Sequence, residues 1–348
     1  MKILHPVYYD RFSCAAGQCS DTCCACWEIV VDPAHVRLYD SLPGPLGEAA
    51  RAHLRRDADG TPYLSLNAQG RCALLRPDGL CALQAAYGAD ALNDVCRRYP
   101  RFRYEFGART ELGISISCPA ACALVLSTPF ALLESKEDVP PSLNDIDPQR
   151  FYAFLRGQGT AFSIAADARF PVFARMALLL DFAGVLSRSI GDPAPASDAF
   201  APAQREARLA ALAPKRRADF TRLRDLFAGM EPLSPEFPAQ LSALTHPAPF
   251  ADPVEAERLL QYYVYKYFLQ SAYDGRLLAN MQFAAASLLL LGALLEDAPQ
   301  AQHVDIIHRF ARETEHSEES LATFRRFAGV RRQTYFRSLL LAAPETHI

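Results

Sequence analysis

The stretch Cys14-Ala-Ala-Gly-Gln-Cys19-Ser-Asp-Thr-Cys23-Cys24-Ala-Cys26-Trp27 decides how the rest of the chain is read. Five of the ten cysteines lie within it, and the others, Cys72, Cys81, Cys96, Cys118 and Cys122, all precede residue 123. From there to Ile348 there is none. Three explanations compete: disulfides, ligation of a metal or iron–sulfur cluster, and ordinary buried thiols. Disulfides need an oxidising compartment. The opening Met1-Lys2-Ile3-Leu4-His5-Pro6 places charge and proline where an export signal carries its apolar run, so a cytoplasmic location is expected. A chain of 348 residues also buries a core without covalent staples. Inert buried cysteine accounts for any single position. It does not account for adjacent Cys23 and Cys24, whose side chains point in different directions and each need a partner. Thiolate ligation explains the whole set with one cause.

The metal is less determined. Zinc sites contain histidine nearly as often as cysteine, and the histidines among these cysteines, His35 and His53, have unhelpful spacing. An all-thiolate set with irregular gaps suits an iron–sulfur cluster better, with zinc as the alternative. Cys23 and Cys24 then serve different irons, serve two centres, or leave one thiol as a bystander. Cys19-x3-Cys23-x2-Cys26 has the spacing of the radical S-adenosylmethionine loop. That loop carries an aromatic where this chain has Ala25, and it opens a barrel of alternating strands and helices that this sequence does not show. The spacing reads as a coincidence.

A wider pattern carries more weight. Phe12-Ser13-Cys14 is followed by Cys19, by Cys23-Cys24, and by Trp27 with Ile29 and Asp32. Then come Cys72-Ala73-Leu74-Leu75, Asp78-Gly79-Leu80-Cys81, Cys96, Tyr99-Pro100-Arg101 and Ile114-Ser115-Ile116-Ser117-Cys118-Pro119. In order and spacing, over roughly residues 5–125, this resembles the flagellin lysine-N-methylase family, within the wider cysteine-cluster proteins. The resemblance implies a cytoplasmic protein-lysine N-methyltransferase. It would transfer a methyl group from S-adenosylmethionine to flagellin lysines and depend on a [4Fe-4S] cluster. It also implies a ligand set of Cys14, Cys19, Cys23, Cys24, Cys72, Cys81, Cys96 and Cys118. Cys26 and Cys122 are then extras: the family usually has glycine at the position of Cys26, and an acidic residue where this chain has Ala120.

Half the residues are apolar and 22% charged, as in ordinary globular proteins. With 36 basic against 39 acidic side chains the net charge is −3, which argues against a dedicated nucleic-acid binder. The uncharged run Met281 to Leu295 is shorter than the about 20 residues a bilayer span needs, and reads as a core helix. No membrane partner is expected.

The fold expected is α+β: a small cysteine-rich N-terminal part with short strands and helices, residues 1–128, packed on a larger all-helical part, 147–348. A proline-rich linker over 129–146 joins them. Asp32-Pro33 opens a helix to about Leu42, with Asp32 as cap and proline in the first turn. A second helix covers 47–56 and a strand 62–66. One helix over 88–98 delivers Cys96, and the alternation of Leu112, Ile114 and Ile116 makes 109–117 a half-buried strand. Pro119 then starts a helix whose N-terminal N–H groups favour a thiolate at Cys118. Helical periodicity covers 171–190, 203–213, 215–230, 253–273, 276–296, 302–316 and 320–330. No glycine-rich nucleotide loop follows a strand, so a Rossmann-type donor site is unsupported.

Four arginines interleaved with aromatics follow Cys96, from Arg97 to Tyr104. Arg97 and Arg98 are candidates to hold a methionine-type carboxylate or to screen an anionic cluster, against a plain helix end that complements the dipole. Trp27 joins them as a cofactor-binding candidate, and Tyr99 and Arg101, which match the family motif, are the catalytic candidates. The run Tyr262-Tyr263-Val264-Tyr265-Lys266-Tyr267-Phe268 fits either an aromatic channel for a lysine ammonium or, more simply, a core helix. Glu313, Glu315 and His316 supply a base or a solvated face, the latter favoured on so charged a helix. His246, His303 and His308 are given no role. A non-catalytic metal-binding or electron-transfer module is the competing function.

Overall fold

A computed structural model describes residues 1–138, 140–141, 145–214 and 216–342. Seven strands are β1 (Lys2–Pro6), β2 (Ile29–Val30), β3 (Leu54–Arg56), β4 (Pro62–Leu64), β5 (Arg101–Phe106), β6 (Arg109–Ile114) and β7 (Leu132–Lys136). They form a four-stranded sheet in the order β5-β6-β1-β7 and a three-stranded one in the order β2-β4-β3. β1 runs parallel to β6 and antiparallel to β7, with Ile3 opposite Thr110 and Ser135. The helices of the first part are α1 (Pro33–Ser41), α2 (Gly44–His53), α3 (Ala82–Tyr87), α4 (Asp94–Arg98) and α5 (Pro119–Ser127). The second part is helical: α6 (Pro148–Ala165), α7 (Val172–Leu186), α8 (Ala194–Asp198), α9 (Arg205–Ala211), α10 (Thr221–Ala228) and α11 (Phe237–Ser242). It continues with α12 (Pro253–Tyr267), α13 (Leu277–Leu295), α14 (His303–Glu315), α15 (Glu318–Phe327) and α16 (Gln333–Ala342). The α+β expectation holds, with strands in the N-terminal part and helices dominating the C-terminal part.

Local chemistry explains the best-placed elements. The Asp32 carboxylate accepts from the N–H groups of Ala34 and His35, both at 3.1 Å, and Pro33 sits in the first turn of α1. Asp252 and Pro253 repeat the device at the start of α12. α13 is long and apolar enough to cross a membrane by composition, yet 89% of its most apolar window is buried inside the protein. It is the central core helix.

Other expectations need correction. The helix over 88–98 breaks after Ala91, and Asn93 caps the short α4 by accepting from the Cys96 N–H at 2.9 Å. The Arg101–Phe106 segment is the edge strand β5 and not a helix end. Part of the linker, Leu132–Lys136, is strand β7, while residues 139 and 142–144 lie outside the described residues. The helix expected from Lys215 begins at Thr221, and Lys215 and 343–348 also lie outside the described residues. Within α6, a Cβ on Gly157 would come within 2.4 Å of the Leu186 side-chain end, so α6 and α7 approach closely there.

Two apolar clusters organise the core. A small one gathers Val31, Tyr39, Ala50, Leu64, Cys72 and Leu83, with Cys24 and Cys81 at its edge. The large one joins Ile114, Ile116, Cys118 and Cys122 to the helices, so the end of β6 and the start of α5 are packed directly on the helical part. α12 is pinned across the sheet by the Tyr265 hydroxyl, which reaches the carbonyls of Leu4 on β1 (3.1 Å) and Leu112 on β6 (2.8 Å).

Candidate functional site

Cys14, Cys23 and Cys26 reach the surface, Cys19, Cys24, Cys81 and Cys96 are half-buried, and Cys72, Cys118 and Cys122 are buried. Eight of these thiols form two neighbourhoods. In one, burial pushes Cys96 up to about 12, helped by the neighbouring sulfurs of Cys24, Cys81 and Cys72. In the other, Cys118 sits within reach of Cys19 and Cys14. Cys23 and Cys24 join the two, since Cys23 feels both Cys96 and Cys14. The backbone makes the same connections: the Cys72 N–H donates to the Cys24 carbonyl at 2.7 Å, Leu75 bridges to Cys81, and Gly17 packs on the Asp78 carbonyl.

Within this set Cys24 is shifted toward the thiolate, while Cys19, Cys23, Cys72, Cys81, Cys96 and Cys118 are all raised. A hydrogen bond from Cys23 lowers the Cys24 thiol to about 7 against the opposing pull of burial, with Thr22 and the guanidinium groups of Arg312 and Arg71 adding to it. Among the described residues no three His, Cys, Asp or Glu side chains are grouped to hold a single metal ion. Cys118 does cap α5 as expected, and the N–H groups of Ala121 and Ala120 favour its thiolate, but burial outweighs them and the thiol is raised.

Cys26 and Cys122 stand apart for different reasons. Cys122 is fully buried inside α5. Cys26 is exposed and adopts φ +68°, a left-handed conformation that glycine takes without strain. Cys26→Gly is therefore expected to stabilise the protein by about 1 kcal/mol, read as a shift in denaturation midpoint, while Cys26→Ser leaves it unchanged.

A buried polar network lies against the Cys118 side of this cluster. Lys266 on α12 pairs with Glu315 at the end of α14, and the Tyr262 hydroxyl donates to the same carboxylate at 3.2 Å. The side chains of Lys266 and Glu315 are 9% and 0% exposed. Lys266 also reaches Ser115 (3.4 Å), Ser115 bonds Ser117 (2.9 Å), and Ser117 meets the Tyr99 hydroxyl (3.2 Å) and His316 Nε2 (2.8 Å). One carboxylate oxygen of Glu315 has no hydrogen-bond partner. The His316 residue reaches the surface, but its ring is wedged against Trp27 and Tyr99, and desolvation with the charges of Lys266 and Arg312 lowers its pKa. Its imidazole is neutral at physiological pH.

The same helix grips the cysteine loop. Arg312 bonds the Asp21 carboxylate and the Ala25 carbonyl and lies 4.4 Å over the Trp27 ring, while Asp305 accepts from Ser20 at 3.3 Å. Buried His308 faces Asp21 and Asp305. Trp27 in turn donates to the Cys23 carbonyl at 2.9 Å.

The structure thus brings together Trp27, Tyr99, Glu315 and His316 beside the thiols. Arg101 is near the Cys14 end, where its guanidinium lies 4.9 Å over the Phe12 ring. Arg97 and Arg98 are elsewhere, exposed and ion-paired to Asp94. The solvated-face reading of Glu313, Glu315 and His316 fails for the two acids: Glu315 is buried, and Glu313 is buried with its carboxylate bonding Leu233, Ser234 and their loop. The tyrosine run is a core helix, whose aromatic surroundings hold the chain's own Lys266 at 5.4–5.6 Å from Phe102, Tyr262 and Tyr267. Lys266, Arg312, Ser115, Ser117 and Asp21 were not singled out from sequence. The usable signal was Lys266 itself, a lysine in an apolar helix with no acid three or four residues away.

Comparison with known proteins matches the segment that supplies this network. Residues 239–332 match the family described as the FliB lysine N-methylase C-terminal domain. The chain is 29% identical to the lysine-N-methylase of Salmonella typhimurium over 142 residues, 39% of this chain and 35% of that protein. It is 28% identical to the flagellar biosynthetic protein FliU of Salmonella muenchen over 135 residues, 37% of this chain and 80% of that protein. A lysine-N-methylase of Salmonella choleraesuis is 28% identical over 142 residues, again 39% of this chain and 35% of that protein, so the match spans about a third of the two methylases' length. No solved structure matches. Residues 239–332 thus carry the signature of the FliB lysine N-methylase C-terminal domain, and the chain is similar to these Salmonella proteins over somewhat more than a third of its length.

Proposed function

We propose that this protein is a cytoplasmic protein-lysine N-methyltransferase that modifies flagellin or a similar surface lysine-bearing protein, with S-adenosylmethionine as donor and an iron–sulfur centre. The observation that carries this reading is the grip of the methylase-family helix α14 on the cysteine loop, through Arg312 on Asp21 and Ala25 and through His316 against Trp27.

In this reading Cys14, Cys19, Cys23, Cys24, Cys72, Cys81, Cys96 and Cys118 hold the centre, which when bound supplies a compact anionic, electron-exchanging group. A target lysine arrives protonated and must shed its proton before its lone pair can attack a methyl group. Desolvation favours the neutral amine, and the ring faces of Trp27 and Tyr99 attract ammonium and sulfonium groups alike. Tyr99, donating to or accepting from Ser117, orients that wall. Neutral His316 adds no repelling charge to it. Arg101, poised over Phe12 just before Cys14, contributes positive charge near the cluster, with Arg97 and Arg98 a weaker contribution beyond Asp94.

The test is mass spectrometry of flagellin co-expressed with the protein. Lysine mass increments of one methyl group should appear with the wild type and be absent with Cys24→Ser. Arg101→Ala should lower methylation about tenfold or more without releasing iron, as expected for a lost charge-assisted contact. No methylation alongside an intact centre would favour a non-catalytic binding module.

A further inference from the structure

A cavity with no cysteine in its lining lies between the C-terminal end of α7, the N-terminal end of α13 and the α15–α16 connection. Its volume is about 620 Å³, in the range of small-molecule sites. Four arginines line it, Arg188, Arg276, Arg325 and Arg326, and no carboxylate does among the described residues. Asp274, just outside, contacts Arg325 at a loose 3.8 Å, and Arg326 bonds Thr323. Arg188 and Arg276 have no ion-pair partner among the described residues. In a chain of net charge −3 this concentration of guanidinium groups is a local reversal of sign. The floor is small, with Gly275, Ala279, Ala322 and Gly329 leaving room between the charged walls.

The methyl donor is a poor occupant, because its sulfonium and ammonium outweigh its single carboxylate. Guanidinium forks match phosphate oxygens in pairs, and several converging on one cavity select a polyanion over a single carboxylate. We infer that this groove is a binding site for a phosphate-bearing small molecule of about nucleotide size, separate from the cysteine-linked centre.

Calorimetric titration of the whole, metal-loaded protein with inorganic pyrophosphate and with ATP tests it. Saturable binding is expected for both, weakening with salt. Arg188→Glu and Arg276→Glu, both at exposed positions, should each reduce affinity about tenfold or more while leaving iron content and thermal midpoint unchanged. Absence of heat with either probe would overturn the assignment, as would equal affinity in the charge-reversed variants. Binding of an acidic peptide in preference to pyrophosphate would also overturn it and mark the groove as a protein contact. Lysine methylation is read separately in the same preparations, so failure here leaves the methyltransferase reading standing.

Discussion

Lys266→Met is expected to cost about 3–5 kcal/mol of stability, among the largest effects of any single substitution outside the cysteines. The pair it breaks is buried on both sides, and Glu315 would keep a desolvated charge with only the Tyr262 hydroxyl to satisfy it. Removing one partner of a buried pair is far more costly than removing both. Lys266→Met combined with Glu315→Leu should therefore recover most of the loss. Denaturant midpoints of the two single variants and the double variant are the measurement. A deficit left unrepaired in the double variant would mean that Lys266 acts by packing against Phe102, Tyr262 and Tyr267 alone.

The second large effect concerns the thiols. Cys96→Ser and Cys23→Ser should yield protein that loses iron and becomes protease-sensitive within the first 128 residues, while Cys26→Ser keeps both its iron and its resistance. The physical reason is the thinness of the apolar core there: the cluster around Val31, Tyr39 and Leu64 is small and its strands are two or three residues long, so that in the proposed reading ligation would supply ordering that burial does not. The two thiol neighbourhoods make a further distinction. If Cys72, Cys81, Cys96 and Cys24 hold one centre and Cys14, Cys19, Cys118 and Cys23 another, Cys81→Ser and Cys118→Ser should each remove about half of the iron and sulfide. A single shared centre would instead lose nearly all of both in either variant. Full iron content in Cys23→Ser would take it off the ligand list.

How much of this was legible in the sequence depended on whether the cause was local. The Asp32-Pro33 and Asp252-Pro253 caps act within one turn, so the starts of α1 and α12 were readable or nearly so. The alternation into Cys118, the helix after Pro119 and the buried nature of α13 follow from period and composition alone. So did the concentration of cysteines and the family pattern around them, because ligand chemistry depends on residue type and spacing. By contrast, Lys2–Pro6 is a strand because it fits between β6 and β7, and Leu132–Lys136 because it finds Lys2–Pro6, with pairing partners more than a hundred residues apart in each case. Arg101–Phe106, rich in arginine, reads as a charged segment until β6 supplies its ladder. Tertiary structure alone decided the site. Glu315 and Arg312 lie on a helix that sequence marks as a charged surface, and they are buried because the cysteine loop and α12 close over them. Whether such a residue faces water or a partner is set by what packs against its helix, which periodicity does not encode. Composition determined that this protein gathers thiols near one end, and the fold determined that the methylase-family helices would grip them.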